Sequence, residues 1–242
     1  MAEEVKPYGK EGESKKQEVR EMFNNISVKY DFLNHFLSVG IDNLWRKKAI
    51  KQLREIHPKK ILDIASGTGD FALEALSLKP EQIVGADISE GMLEVGRQKM
   101  KAKGVDNIIS MEVGDSENLR FEDNTFDALT VGFGVRNFQN LEQGLSEMLR
   151  VVRPGGRLVV LEFSKPKKFP VKQYYAFHSK YIIPFFGKMV SKDSSAYTYL
   201  PESIQAFPEG ENFKKIMRKI GYKNVRSLLC SGGIATIYIG DK

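Results

Sequence analysis

A single cysteine, Cys230, stands in a chain of 242 residues. It has no partner for an internal disulfide, so a disulfide framework and the need for an oxidising compartment are excluded. Histidine is almost as scarce, with three, and no Cys/His spacing suggests a metal site. No run approaches the ~18 consecutive apolar residues of a membrane-spanning helix. The opening stretch, MAEEVKPYGKEGESKKQEVR, lacks the apolar core of a secretory signal; the expected location is cytoplasmic. A large excess of one charge is missing too. Basic residues number 37 against 31 acidic, a net +6, too mild to demand a nucleic-acid partner, and no nucleic-acid motif accompanies it. What is present is 41% hydrophobic and 28% charged residue content with 21 glycines, the make-up of a folded globular chain with enough residues for a sizeable core.

The first sixteen residues read as a flexible arm, and 17–242 as one domain. Val19, Met22, Phe23, Ile26, Tyr30, Leu33 and Leu37 recur at steps of three and four, and Ile41, Leu44, Trp45, Leu53 and Ile56 continue the pattern. These spacings predict N-terminal helices over 17–57 that turn those residues toward a core. From Lys60 the pattern changes to strands alternating with helices. Strands are expected at Lys60–Ile64, Gln82–Asp87, Asn107–Val113, Phe126–Val131 and Arg157–Phe163. Ser89 is a good N-cap for the helix through about Met100. The stripe Leu141, Leu145, Met148 and Leu149 reads as a helix closed by a turn at Arg153-Pro-Gly-Gly156. After a further helix marked by Phe213, Ile216, Met217 and Ile220, two last strands fall at 224–229 and 235–240. Repeated βαβ units require right-handed crossovers and a mainly parallel sheet with helices on both faces. The Gly-rich link at 230–234 is too short for a crossover, so one of the last strands should be antiparallel.

Ligands of such sheets bind beyond the carboxyl ends of the strands, where the topology switches. The loop Asp63-Ile-Ala-Ser-Gly67-Thr68-Gly69 follows the first strand and brings backbone close to a ligand. Asp87, at the end of the second strand and 18 residues after Gly69, is placed to accept hydrogen bonds from both hydroxyls of a ribose. Two cofactors compete for this arrangement. Gly67-x-Gly69-x-x-Ala72 fits a dinucleotide fingerprint, which leaves an NAD-dependent enzyme as an alternative. S-adenosylmethionine has no phosphates and carries a sulfonium cation. Asp63, Asp70 and Asp115, all near the loop, would repel a phosphate and attract a cation, which favours S-adenosylmethionine.

The run Leu62-Asp63-x-x-x-Gly67-x-Gly69 followed by Asp87 resembles the Rossmann-like class I methyltransferases, with Ala65 where their first glycine usually stands. Two longer runs are more specific. Tyr30-Asp31-Phe32-Leu33-Asn34 with Ser38 and Leu44-Trp45-Arg46, and Arg150-Val-Val-Arg-Pro-Gly-Gly-Arg-Leu-Val-Val-Leu-Glu162-Phe-Ser164, are similar to the two signatures of the ubiquinone/menaquinone biosynthesis C-methyltransferases. This resemblance covers roughly 17–242. It implies a seven-stranded class I sheet, mainly parallel with one antiparallel strand near the C-terminus. It also implies C-methylation of a prenylated quinol, demethylmenaquinol and also the benzoquinol of the ubiquinone pathway, with S-adenosylmethionine as donor. By family position, Thr68, Asp87, Asp115 and Ser116 contact the donor. A methyltransferase acting on another small phenol or lipid is the alternative substrate reading.

A ring carbon beside a hydroxyl becomes nucleophilic when that hydroxyl sheds or shares its proton, so the reaction needs positioning and a proton acceptor. In the loop after the fourth strand, Arg136 is expected to stabilise the oxyanion and Asn137 to orient the ring or a water. Tyr30 enters from the N-terminal helices, and His178 is the alternative general base. Segment 165–207 holds ten aromatics, seven lysines and two acids in 43 residues. Tyr174, Tyr175, Phe177, Tyr181, Phe185 and Phe186 crowd one part of it. It reads as a helical insertion that buries the substrate ring and presents lysines to an anionic membrane surface, so the chain is expected to be peripheral at a membrane. A homodimer is the remaining partner expectation.

Overall fold

The computed structural model describes residues 5–37, 40–177 and 195–242. Seven strands form one sheet: β1 (Lys60–Ile64), β2 (Gln82–Asp87), β3 (Ile109–Val113), β4 (Phe126–Gly132), β5 (Val152–Phe163), β6 (Lys223–Cys230) and β7 (Ala235–Asp241). Their order is β3-β2-β1-β4-β5-β7-β6. β1 to β5 pair in parallel, and β7 runs antiparallel to both β5 and β6, as the short link between the last two strands requires. The chain builds outward from β1 to β3, then returns to place β4 on the other side of β1. The β1/β4 boundary is therefore the switch point, with a crevice beyond its carboxyl ends.

Side-chain alternation along β1 divides the interior in two. Ile61 joins a core with Trp45, Leu53, Phe71 and Leu93. These come from α2 (Ile41–Ile50), the 3-10 turn Lys51–Ile56, α3 (Asp70–Ala75) and α4 (Glu90–Ala102). Leu62 and Ile64 join the opposite core with Leu145, Met148 and Phe213, supplied by α5 (Leu141–Val151) and the helix Glu211–Ile220. Ser89 caps α4, its hydroxyl accepting from the Met92 amide.

Several boundaries differ from the sequence reading. The third strand starts at Ile109, since the amides of Ile108 and Ile109 turn back on the Val105 carbonyl in the turn that follows α4. Arg153–Gly156 does not separate α5 from β5. The helix passes directly into the strand, and those four residues form a bulge between the pairs Phe126–Val152 and Ala128–Arg157. Of the second helical stripe, Trp45 and Leu53 are buried, but Ile41 and Leu44 face outward. Nor is the arm loose along its whole length. α1 (Lys15–Leu37) already begins inside it, and the backbone amides of Tyr8, Gly9 and Lys10 converge on the buried carboxylate of Glu18 at 2.6, 2.9 and 2.8 Å. Burial raises the pKa of Glu18, but the three amides outweigh it and hold it below the ordinary value. Val19 and Met22 pack against Tyr199 in the helix Ser195–Ala206. In segment 165–207, residues 165–170 form an irregular link, after which come α6 (Val171–Phe177) and, near the end, that same helix Ser195–Ala206. Tyr181, Phe185, Phe186 and His178 lie outside the described residues, as do the side chains of Tyr30, Tyr174 and Phe177.

Candidate active site

The crevice at the switch point lies beyond the carboxyl ends of β1, β2 and β4 and is lined by the loops that follow them. Its floor is the loop after β1. Ala65 there takes φ +51°, a left-handed conformation that strains any residue with a Cβ; it occupies the place where the resembled motif has glycine. Gly69 takes φ +84°, and a Cβ on it would stand 2.3 Å from the Met100 Cε. The flexible methionine end could yield to a Cβ, so it is the left-handed backbone that favours glycine at this position.

Asp87 lines the crevice from the end of β2. The Gly67 amide donates to its Oδ2 at 2.8 Å and the Ser89 amide to its Oδ1 at 2.9 Å. Burial raises its pKa, opposed by the amides of Ser89, Gly67 and Ile88. These amides fix the orientation of the carboxylate within the crevice. Beyond β3, Asp115, Ser116 and Glu117 continue the same wall. Lys16 of α1 reaches over from the roof to Asp115 at 2.8 Å and Glu117 at 3.0 Å.

That roof is the part sequence reasoning missed. Lys16, Val19 and Phe23 of α1 line the crevice together with Phe138 and Gln139. α1 is fastened there at both ends of its covering stretch. Lys15 donates to the backbone carbonyls of Arg136 and Phe138 at 3.0 Å each. Asn24 accepts from the Ser89 hydroxyl at 2.7 Å and the Gly91 amide at 2.9 Å. The helical period of Val19 and Phe23 was visible in the sequence, but a period does not say which surface a helix covers.

Gly67, Asp87, Asp115, Ser116 and Asn137 thus share one crevice. Asn137 is buried in its wall, and its Oδ1 has no hydrogen-bond partner. The other expected contacts sit behind it. Thr68 is buried and accepts from Lys99 at 3.1 Å. Asp63 faces inward from β1, accepting from the Thr130 hydroxyl at 2.7 Å, with its second oxygen unpartnered. Burial pushes its pKa up to about 7, although Thr130, the Ala72 amide and Arg46 oppose this. The neutral form is thereby favoured on folding. This contribution to stability is complete below pH ~4 and is lost as pH rises through ~7, up to about 4 kcal/mol. Asp63→Asn cannot ionise. Its stability relative to the parent chain is expected to improve steadily between pH 4 and 7 in urea titrations; a pH-independent difference would contradict a neutral Asp63.

Arg136 stands in a short 3-10 turn, Val135–Asn137, but its guanidinium does not line the crevice. It pairs with the fully buried Glu162 at 2.9 Å, donates to the Phe133 carbonyl, and lies over the Phe163 ring at 5.5 Å. The expected oxyanion contact is replaced by this buried pair, because a carboxylate at the end of β5 leaves the cation no cheaper place to be. Phe133, which does line the crevice, stacks on Phe163 at 4.4 Å and is tilted against Trp45 at 6.3 Å. The side chain of Tyr30 and all of His178 lie outside the described residues.

Comparison with known proteins follows the whole chain. A family model described as the ubiE/COQ5 methyltransferase family matches residues 11–242. A demethylmenaquinone methyltransferase of Bacteroides fragilis is 50% identical over 99% of this chain and 98% of its own. One from Porphyromonas gingivalis is 43% identical over 99% and 98%. A ubiquinone/menaquinone biosynthesis C-methyltransferase of Geobacter sulfurreducens is 44% identical over 94% and 90%. Among solved structures, an S-adenosylmethionine-dependent methyltransferase of Thermotoga maritima superposes with a TM-score of 0.62 at 21% identity, covering 92% of this chain and 99% of that one. The fold is shared with it.

Proposed function

Because the chain belongs to the ubiE/COQ5 methyltransferase family, we propose that it methylates a ring carbon of a prenylated quinol, demethylmenaquinol becoming menaquinol, with S-adenosylmethionine as the donor. The observation that carries this reading is one crevice holding an amide-pinned Asp87 and an unpartnered Asn137, in a chain half identical to a named relative over almost its full length. The dinucleotide alternative falls with the family assignment.

The crevice suits the donor chemically. Asp87, oriented by backbone amides, presents its carboxylate to the ribose hydroxyls, and Gly67 lets the backbone come close. Asp115 and Ser116 meet the adenine end, where Lys16 already touches Asp115. Asp87, Asp115 and Glu117 give the crevice a negative potential that suits a cation and would repel a pyrophosphate. Once bound, the donor supplies an electrophilic methyl on a sulfonium centre. Asp63, Thr68 and Gly69 act from behind, shaping the loop rather than touching the ligand.

On the acceptor side, Asn137 Oδ1 takes a hydrogen bond from the quinol hydroxyl and so holds the ring in register. Phe133 and Phe163 supply an aromatic wall against which a planar ring stacks. Arg136 is a positioning residue, tying the turn that carries Asn137 to Glu162 and the Phe133 carbonyl. Tyr30 and His178 are the groups we assign to proton acceptance. The tail of the substrate requires a lipid phase, and we place the chain at the cytoplasmic face of a membrane. Among the described residues, no helix is long and apolar enough to cross one.

The test is incubation with methyl-labelled S-adenosylmethionine and short-tail demethylmenaquinol under reducing conditions. The label should appear on the naphthoquinol ring carbon, located by mass spectrometry. Efficient labelling of simple phenols with none on the quinol would defeat the reading.

A further inference from the structure

We propose that the carboxyl edge of the sheet on its β6 side, around the β6–β7 hairpin, is the surface on which this protein docks to an anionic lipid bilayer. The inference deepens the reading above and takes from it only that the acceptor carries a long apolar tail. Six large apolar side chains are exposed among the described residues, and four gather at this edge. They are Ile41 and Leu44 at the start of α2, Leu229 at the end of β6, and Phe169 beyond β5, exposed by 39, 65, 66 and 80%.

Contacts at the hairpin bring these distant segments together. Trp45, next to Leu44, donates from its indole to the Ser231 hydroxyl at 2.9 Å. Lys48, one helical turn after Leu44, donates to the Leu229 carbonyl at 2.9 Å. Val171, two residues after Phe169, packs over Gly232, 2.8 Å from where a Cβ would stand. α2 begins at this edge and leads away from it, because Glu55, just past its end, pairs with Arg157 in the first half of β5.

Apart from Asp42, which is buried and paired with Arg46, the charges beside these four side chains are basic. Lys47 and Lys48 adjoin Leu44, and Lys167, Lys168 and Lys172 flank Phe169. None of the five makes an ion pair among the described residues. Ammonium groups without counter-ions beside protruding apolar side chains fit an anionic lipid interface, where the apolar groups sink below the headgroups and each lysine adds roughly fivefold in affinity. A protein partner would need a continuous groove or patch for close fit; single side chains projecting around a hairpin tip suit a fluid surface instead. The edge also leads to the crevice. Trp45 adjoins Phe163 at 6.4 Å and Phe133 at 6.3 Å, and Phe133 lines the crevice. A ring whose tail stays in the bilayer has an aromatic path to follow.

Vesicle sedimentation of the full chain tests this, with phosphatidylcholine vesicles and with vesicles that also contain phosphatidylglycerol. The parent chain should bind the anionic vesicles at least tenfold more strongly, with affinity falling as salt rises. Leu44→Ser combined with Phe169→Ser should lower that affinity about tenfold and keep the salt dependence. Lys167→Glu combined with Lys168→Glu should lower it by at least that much and flatten the salt dependence. Both double variants should turn over short-tail quinol, which needs no bilayer, at the parent rate. No binding of anionic vesicles at low salt overturns the proposal, as does parent-like binding by both variants. So does light scattering that finds a parent dimer split by Leu44→Ser/Phe169→Ser, which would make the face a self-interface. If vesicle binding follows the expected pattern but no chain methylates the quinol, the docking surface stands and the proposed reaction falls.

Discussion

Asp87→Ala is expected to weaken binding of S-adenosylhomocysteine by two to three orders of magnitude in titration calorimetry, beside a stability loss of about 1–3 kcal/mol from amides left without their acceptor. The carboxylate is held between the Gly67 and Ser89 amides, so its position is set before the ligand arrives, and little ordering entropy is spent on binding. Hydrogen bonds to an ionised acceptor contribute roughly 1.5–3 kcal/mol each, and the ribose offers two donors. Burial of the site raises the Asp87 pKa, so the same logic makes binding weaken as pH falls and the carboxylate takes up a proton. Asp87→Asn separates charge from shape. It keeps one acceptor oxygen but places an amide donor against a backbone N–H, and it should bind no better than the alanine variant. Affinity within threefold of the parent in either variant would remove the ribose from Asp87.

The second large effect concerns the pair at the end of β5. Arg136→Ala is expected to cost about 3–5 kcal/mol of stability, because the fully buried Glu162 loses its cation. The loss should depend on pH in a defined direction. Burial already raises the pKa of Glu162, with Arg136 and two amides opposing it; removing Arg136 raises it further. An unpaired neutral carboxyl tolerates burial, so the destabilisation should be small below the ordinary carboxylate pKa and grow as pH rises through the raised folded value. Glu162→Gln, which deletes the charge but keeps the shape, should be milder across the range. Because Arg136 ties down the turn that carries Asn137, Arg136→Ala should also lower kcat at least 100-fold while affinity for S-adenosylhomocysteine changes by less than fivefold. A destabilisation independent of pH would show that Glu162 is not the group left stranded. Equal losses in kcat and in donor affinity would mean that Arg136 shapes the whole crevice rather than the acceptor side.

The two variants also mark how far the residues could be read without coordinates. The place of Asp87 was legible because it follows from position along the chain: the end of a buried strand, a fixed distance after a small-residue loop. The strands Lys60–Ile64 and Gln82–Asp87 were legible for the same reason, being short apolar runs bounded by breakers. The pairing of Arg136 with Glu162 was not. The two are 26 residues apart on neighbouring loop and strand ends, and either could have pointed into the crevice. Ile41 and Leu44 erred in the opposite direction. Their spacing matches a buried stripe, yet α2 needs only Trp45, Ala49 and Ile50 to cover its side of the core, and the turn at its start is left protruding.

By itself the amino-acid sequence determined the alternation of strands and helices, the reversal of one of the last two strands, the small-residue loop and the acid that follows it. All of these rest on local preferences, periodicity and link length, which act between near neighbours in the chain. Only the tertiary structure decided that α1 roofs the crevice with Lys16 laid on Asp115, that Asp63 turns inward and Arg136 turns to Glu162, and that residues from α2, β6 and the segment after β5 meet at one apolar, basic edge. Those outcomes are set by which long-range partner offers a buried charge or an exposed apolar face the lowest free energy, and that comparison exists only once the chain has closed on itself.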